Sequence, residues 1–221
     1  MYVQRRSHCF ALIRSSLLLL RLLVLTVAPM GLTAAGCSSG PSAPDEAVYT
    51  QEIRDRRSAI DLAFREQKDP IPADKRAALL PLRYFDIDPT YSVPAVLKLA
   101  DERPVFEMPT STGTLRKMQR VGVLEFTVQA QAMTLGAFVE DGTQQITELF
   151  IPFADLTTGK DTYSAGRYLN VVPTPTGLYT IDFNLAYNPY CAYNATYDCP
   201  FPPPSNRLKI AVTAGELAPG A

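Results

Sequence analysis

Histidine is all but missing from this chain: the single one, His8, lies in a basic and apolar leader. Without it, the processed chain cannot build a Ser-His-Asp or Cys-His catalytic site, a His-ligated zinc site or an H-E-x-x-H helix. Cysteine is also scarce, with four in 221 residues. Cys9 lies in the leader and Cys37 just beyond it, so only Cys191 and Cys199 belong to the body. Long apolar runs are missing too, since Leu22 to Leu32 is too short to span a bilayer as a resident helix. There is no dinucleotide fingerprint, haem motif or complete set of metal ligands, and so no cofactor is implied.

Residues 1–36 read as an export signal. Arg5, Arg6, Arg14 and Arg21 supply its positive charge, no acidic residue accompanies them, and an apolar stretch follows. Its end, LTAAGC from Leu32 to Cys37, resembles the lipobox of bacterial lipoproteins, in which the cysteine is acylated and becomes the new N-terminus. The alternative is ordinary secretion after an A-x-A cut, with Cys37 in the tail. The lipobox reading anchors the protein in the cell membrane through Cys37, and in the outer membrane if the host is Gram-negative. Residues 37–45 are small, polar and proline-containing, the composition of a tether.

Processing shifts the charge balance. The full chain has 21 basic and 22 acidic residues; the leader removes four basic and no acidic ones, leaving 17 against 22, a net charge of −5. Nucleic acid is thereby disfavoured as a partner, because phosphate binding needs a concentrated basic surface.

The eight-residue spacing of Cys191 and Cys199 lacks the C-x-x-C geometry of tuned redox pairs and offers too few partners for a metal. In an exported protein the expectation is a structural disulfide, the alternatives being buried free thiols or a functional pair.

Residues 46–80 form a helical N-terminal segment. Tyr49, Ile53, Ile60 and Phe64 define an apolar stripe, and Glu52 with Arg56 and Asp61 with Arg65 are spaced as i,i+4 ion pairs on the solvated side. Residues 81–218 read as β-rich. Leu124, Phe126 and Val128 alternate with polar positions, as do Leu208, Ile210 and Val212, and each set predicts a half-buried strand. Asp141-Gly142 predicts a two-residue hairpin turn. The expected fold is mainly β, an antiparallel sandwich or barrel with an N-terminal amphipathic helix, in a single domain. Within it, DLTTGKD is read as an Asx-type turn, since the calcium-loop and phosphate-loop patterns it approaches are both incomplete.

The runs LFIPFADLTTGKDTYSAGRYLNV and IDFNLAYNPYCAYNATYDCPFPPPSNRLKIAVTAGE resemble the signature of a widespread bacterial family catalogued only as a domain of unknown function. That resemblance spans nearly the whole body and implies membership, with no activity to carry over.

Among the signature positions, the polar ones that need a reason are Glu148, Asp155, Thr158, Tyr163, Arg167, Asp182, Asn184, Asn188, Asn206, Arg207 and Glu216. Asp182, between Ile181 and Phe183, must pair if it faces the core, and Arg167 is the expected partner. Two readings follow. In one, these residues form a buried polar network. In the other, Arg167, Tyr163, Asn184 and Asn188 bind a small polar or anionic ligand, and Asp155, Asp182 or Glu216 supplies acid and base work. The function expected is a ligand- or partner-binding envelope lipoprotein, its partner a small polar ligand or an envelope protein. The alternative is a carboxylate-dependent hydrolase acting on a glycan or small envelope metabolite.

Overall fold

A computed structural model describes residues 45–66 and 70–220; the leader, Cys37 and the tether up to Pro44 lie outside them. Helix α1, Glu46–Glu66, buries Ile53 and half-buries Tyr49 and Phe64. Neither expected i,i+4 ion pair closes. Asp61, expected to face solvent, instead accepts the backbone N–H of Leu82 at 2.8 Å, and Arg57, outside both expected pairs, donates to the Phe85 carbonyl at 3.0 Å, so both side chains dock the helix. A short α2, Arg76–Leu79, follows before the strands.

Seven strands make one antiparallel sheet: β1 Ser92–Leu99, β2 Val105–Pro109, β3 Leu115–Val128, β4 Gln131–Glu140, β5 Leu149–Phe153, β6 Arg167–Val171 and β7 Leu178–Asp182. Their order is β6-β5-β4-β3-β1-β7, with β2 added on the free length of β3. Cα atoms of the end strands β6 and β7 come within 8 Å of each other, which curls the sheet into a half-barrel. The β3–β4 turn is Gln129-Ala130, both at positive φ of 51° and 58°, the geometry that matches strand twist in a two-residue hairpin. Asp141-Gly142, where such a hairpin was expected, ends β4 without returning directly into β5, which begins eight residues later at Leu149.

Leu124, Phe126 and Val128 of β3 point into the main core, with Leu135 and Ala137 of β4, Ile151 and Phe153 of β5, and Ile181 and Phe183. Leu208, Ile210 and Val212 are buried in that core with the expected alternation, yet they pair in no ladder. The carbonyls of this segment are taken by other groups: Ile210 accepts from the Leu156 N–H at 3.0 Å and Val212 from Arg167 at 3.0 Å. Alternation reports burial, and here it marks a segment held by isolated backbone bonds to the 154–156 stretch and by the Arg167 side chain instead of by a strand ladder.

Among the described residues no helix is long and apolar enough to cross a membrane.

Candidate functional site

Arg167 opens β6, directly opposite Phe153 at the end of β5. The intervening loop folds back and sets Asp155 against the guanidinium, 2.9 Å from Nη2, with both side chains fully buried. Arg167 also donates to the carbonyls of Ala214, Glu216 at 3.4 Å and Val212 at 3.0 Å. Asp155 is held further by the N–H and hydroxyl of Thr157, at 2.7 and 2.6 Å, which is the Asx turn read from DLTTGKD. Gly166 makes this arrangement possible: its φ is +89°, and a Cβ there would lie 2.6 Å from the Phe153 carbonyl oxygen. The expected pairing of Arg167 with Asp182 is therefore corrected. Its anion-receiving role is corrected with it, because the guanidinium is sealed and its charge is already met by Asp155.

Asp182 serves elsewhere. It accepts the Tyr49 hydroxyl at 2.9 Å and the Asn184 N–H at 2.9 Å. Asn184, 1% exposed, donates to the Asp88 carbonyl and accepts the Asp88 N–H at 3.0 Å. Together they moor α1 to the sheet. Asn206 is wholly buried and stitches β4 to β5, accepting the Gly136 N–H at 2.7 Å and donating to the Gly136 and Pro152 carbonyls at 2.9 and 2.8 Å.

Glu216 and Asn188 belong to a different region, the wall of an open cavity of about 800 Å³ between the end of α1, strand β4 and the tyrosine-rich loop. Glu216 accepts the Asn188 N–H at 2.9 Å, the Asn188 amide Nδ2 at 2.8 Å and the Tyr193 hydroxyl. Burial pushes its carboxyl up to about 7, against these hydrogen bonds and the pull of Arg167. Gly215 before it has φ +80°, and a Cβ there would lie 2.6 Å from the Phe183 carbonyl oxygen, so the bend that delivers Glu216 needs glycine. Of the candidate site residues singled out in the sequence, Glu148, Asn188, Cys199 and Glu216 line this cavity; Asp155, Arg167, Asp182, Asn184 and Tyr163 do not.

The other walls come from Ile60 and Phe64 of α1, Phe138 of β4, Phe150 of β5 and the rings of Tyr168, Tyr187, Tyr190 and Tyr193. Phe64 packs edge-on to Tyr193 and Tyr190 with ring centroids 5.9 and 6.2 Å away, so the helix and the loop share one aromatic corner. Arg116 and Asp198 at the rim were not singled out in the sequence. The tyrosine enrichment between Tyr187 and Tyr197 was the available signal for the walls. Nothing local in sequence links Arg116 to Asp198.

Cys199 borders the cavity and Cys191 lies behind it. The two stand as separate thiols, with the Cys191 N–H donating to Cys199 Sγ at 3.2 Å and Tyr163 donating to Cys191 Sγ at 3.9 Å. No S–S bond joins them here: the fold brings the pair together, while bond formation depends on the redox compartment. The hydrogen bond from Cys199, aided by Ser111 and Tyr163, holds the Cys191 thiol down to about 6 and drives Cys199 up. Burial pushes the Tyr163 hydroxyl up to about 12. Among the described residues no three of Asp, Glu, Cys and His converge as a metal site.

A family model described as a protein of unknown function, DUF1684, matches residues 78–217, and the chain belongs to that family. No curated protein is significantly similar to it. Among solved structures, the chain is similar to the solution NMR structure of an uncharacterized protein from Haloarcula marismortui. The two are 35% identical, with a TM-score of 0.62 over 77% of this chain and 95% of that one.

Proposed function

We propose that this DUF1684 member is an envelope lipoprotein, anchored through Cys37, whose domain binds a small ligand in the cavity between α1 and the tyrosine-rich loop. One observation carries the binding reading: an open space of about 800 Å³ walled by aromatic rings and backed by the Glu216–Asn188–Tyr193 cluster. That volume lies in the range of small-molecule sites, about 300–1,000 Å³, and a mostly apolar wall with a few convergent polar groups is their usual composition. The signature positions support it in a divided way. Arg167, Asp155 and Asn206 build the scaffold, and Asn188 and Glu216 reach the cavity.

The test is a thermal-shift screen of small metabolites on wild type and Tyr190→Ala. Tyr190 is 43% exposed and packs edge-on against Phe64 and Tyr197, so its loss should lower the free protein's melting temperature by a few degrees while removing the ligand-induced rise. Absence of any saturable shift, or an equal shift in the variant, would overturn the reading.

A hydrolase is the second reading, and one observation favours it: the raised Glu216 carboxyl is suited to donate a proton near neutral pH. Asp155 and Asp182 cannot complete the pair from where they lie, and Glu140 and Asp198 are paired with Arg116, which leaves Glu148 at the cavity rim as the second carboxylate. Turnover of a glycan that survives in both Glu216→Gln and Glu148→Gln would exclude this chemistry.

A further inference from the structure

The hydrogen-bonding groups of the cavity point to the class of its ligand, a step that rests on the binding reading above. The charged side chains lining it are Arg116, Glu140, Glu148, Asp198 and Glu216. The one cation of that set is already committed. Arg116 Nη2 donates to the Asp198 carbonyl at 2.7 Å and to its carboxylate at 3.2 Å, and Nη1 lies 3.8 Å from Glu140. Glu148 is exposed at the rim and enters no ion pair among the described residues. In the wall, both amide hydrogens of Asn188 are spent on Glu216 Oε1 at 2.8 Å and the Leu217 carbonyl at 2.7 Å, which fixes the amide's orientation. Its Oδ1 is buried without a hydrogen-bond partner. That oxygen is closed off from the cavity, so the charged group of the lining left free to meet a guest is the exposed Glu148.

An anion entering this cavity would meet four carboxylates against one arginine that is already paired. A neutral apolar guest would leave the acceptors unmet. An ammonium group answers both, since it presents no acceptor to the carboxylates, is attracted by Glu148, and is favoured over the π-faces of tyrosine and phenylalanine whether or not it carries N–H groups. We propose that the cavity receives an organic cation, a compact ammonium on an apolar or aromatic body, with its charge toward Glu148 and its body against the tyrosine rings.

The experiment is a calorimetric titration of the intact processed chain with benzylamine, benzyltrimethylammonium, benzyl alcohol, benzoate and a neutral disaccharide at millimolar concentrations. Saturable binding of the cations is expected, about tenfold tighter than benzyl alcohol, with benzoate not binding. Glu148→Gln should weaken benzylamine by about fivefold while the free variant melts as wild type does, because this side chain is exposed and holds no ion pair. Benzyl alcohol, benzoate or the disaccharide binding as tightly as the amines would overturn the cation assignment and leave the binding reading standing. If the amines bind equally well to Glu148→Gln and to wild type, the charge placement is overturned. If no probe of any class binds, the cavity is not a small-ligand site and the binding reading falls together with this one.

Discussion

Removing the guanidinium of Arg167 would strand an ionised Asp155 in a site without water access, since both side chains are fully buried. Losing one partner of such a pair typically costs about 3–5 kcal/mol, more than the pair itself is worth. Arg167→Met should therefore lower the denaturation free energy by about that amount, and adding Asp155→Leu should recover part of it, as read from urea midpoints. If Arg167→Met were as stable as wild type, the clamp would not be what holds the C-terminal segment. Glu216 makes a second prediction at this scale. Its proton is held more tightly in the folded protein, up to about 7 against an ordinary 4.5, so the folded state binds more protons than the unfolded one between those values. Measured in a Cys191→Ser background, which removes a thiol held down to about 6 that would add an opposite slope above that pH, stability should fall as pH rises from about 4.5 to about 7, by on the order of 3 kcal/mol, and level off above. Glu216→Gln should flatten that slope. Asp198, held down to about 2 chiefly by hydrogen bonds from threonines, titrates below this window and does not obscure it. That these residues are special was legible in sequence, as polar positions inside a long motif. Which of them pair was not: the partner of Arg167 lies twelve residues earlier, brought back by the β5–β6 loop.

Among the elements, the strands of the sheet were the most legible and the C-terminal segment the least. Leu124, Phe126 and Val128 keep the period of two because one face of β3 lies on the core and the other does not. Leu208, Ile210 and Val212 show the same period because they are extended and half-buried, and sequence cannot tell that their carbonyls go to Arg167 and the loop instead of to a neighbouring strand. The β3–β4 turn escaped notice because Gln129 and Ala130 carry none of the glycine or asparagine that marks a positive φ. The tyrosine-rich loop allows a test of its own. Its cysteines are adjacent thiols, and in an oxidising compartment thiol–disulfide exchange would remove two electrons and two protons from them and close a nine-residue ring. We propose that the protein is exported and carries this bridge. Alkylation of unreduced material should label neither cysteine, and reduction should cost about 2.6 kcal/mol of stability in the chain-entropy picture. On the reduced protein, limiting reagent should label Cys191 first, since its thiol is held down to about 6. Two labelled cysteines before reduction would show that the loop is held by hydrogen bonds and packing alone.

At the scale of the whole molecule, the domain is closed on itself by groups that have nothing to do with a membrane. Helix α1 is moored by Tyr49 on Asp182 and by Arg57 and Asp61 on the chain that follows it, and the C-terminal segment is clamped by Arg167. The proposed anchoring would therefore be a separable property, carried by Cys37 and the eight residues that lead from it to α1. Even fully extended, such a stretch reaches only about 30 Å, so an acylated Cys37 would keep the domain near the bilayer surface. With a net charge of −5, the processed chain gains nothing from anionic lipid headgroups, and acyl chains would have to supply the binding energy. Cys37→Ser should then move the protein from the membrane and detergent phase to the aqueous phase while its melting temperature and ligand affinity stay as in wild type. A wild-type chain found in the aqueous phase, with an unmodified N-terminus by mass spectrometry, would replace the anchor with ordinary secretion. The cavity and its cation preference would be untouched by that result, because every residue that builds them lies between Ile60 and Leu217.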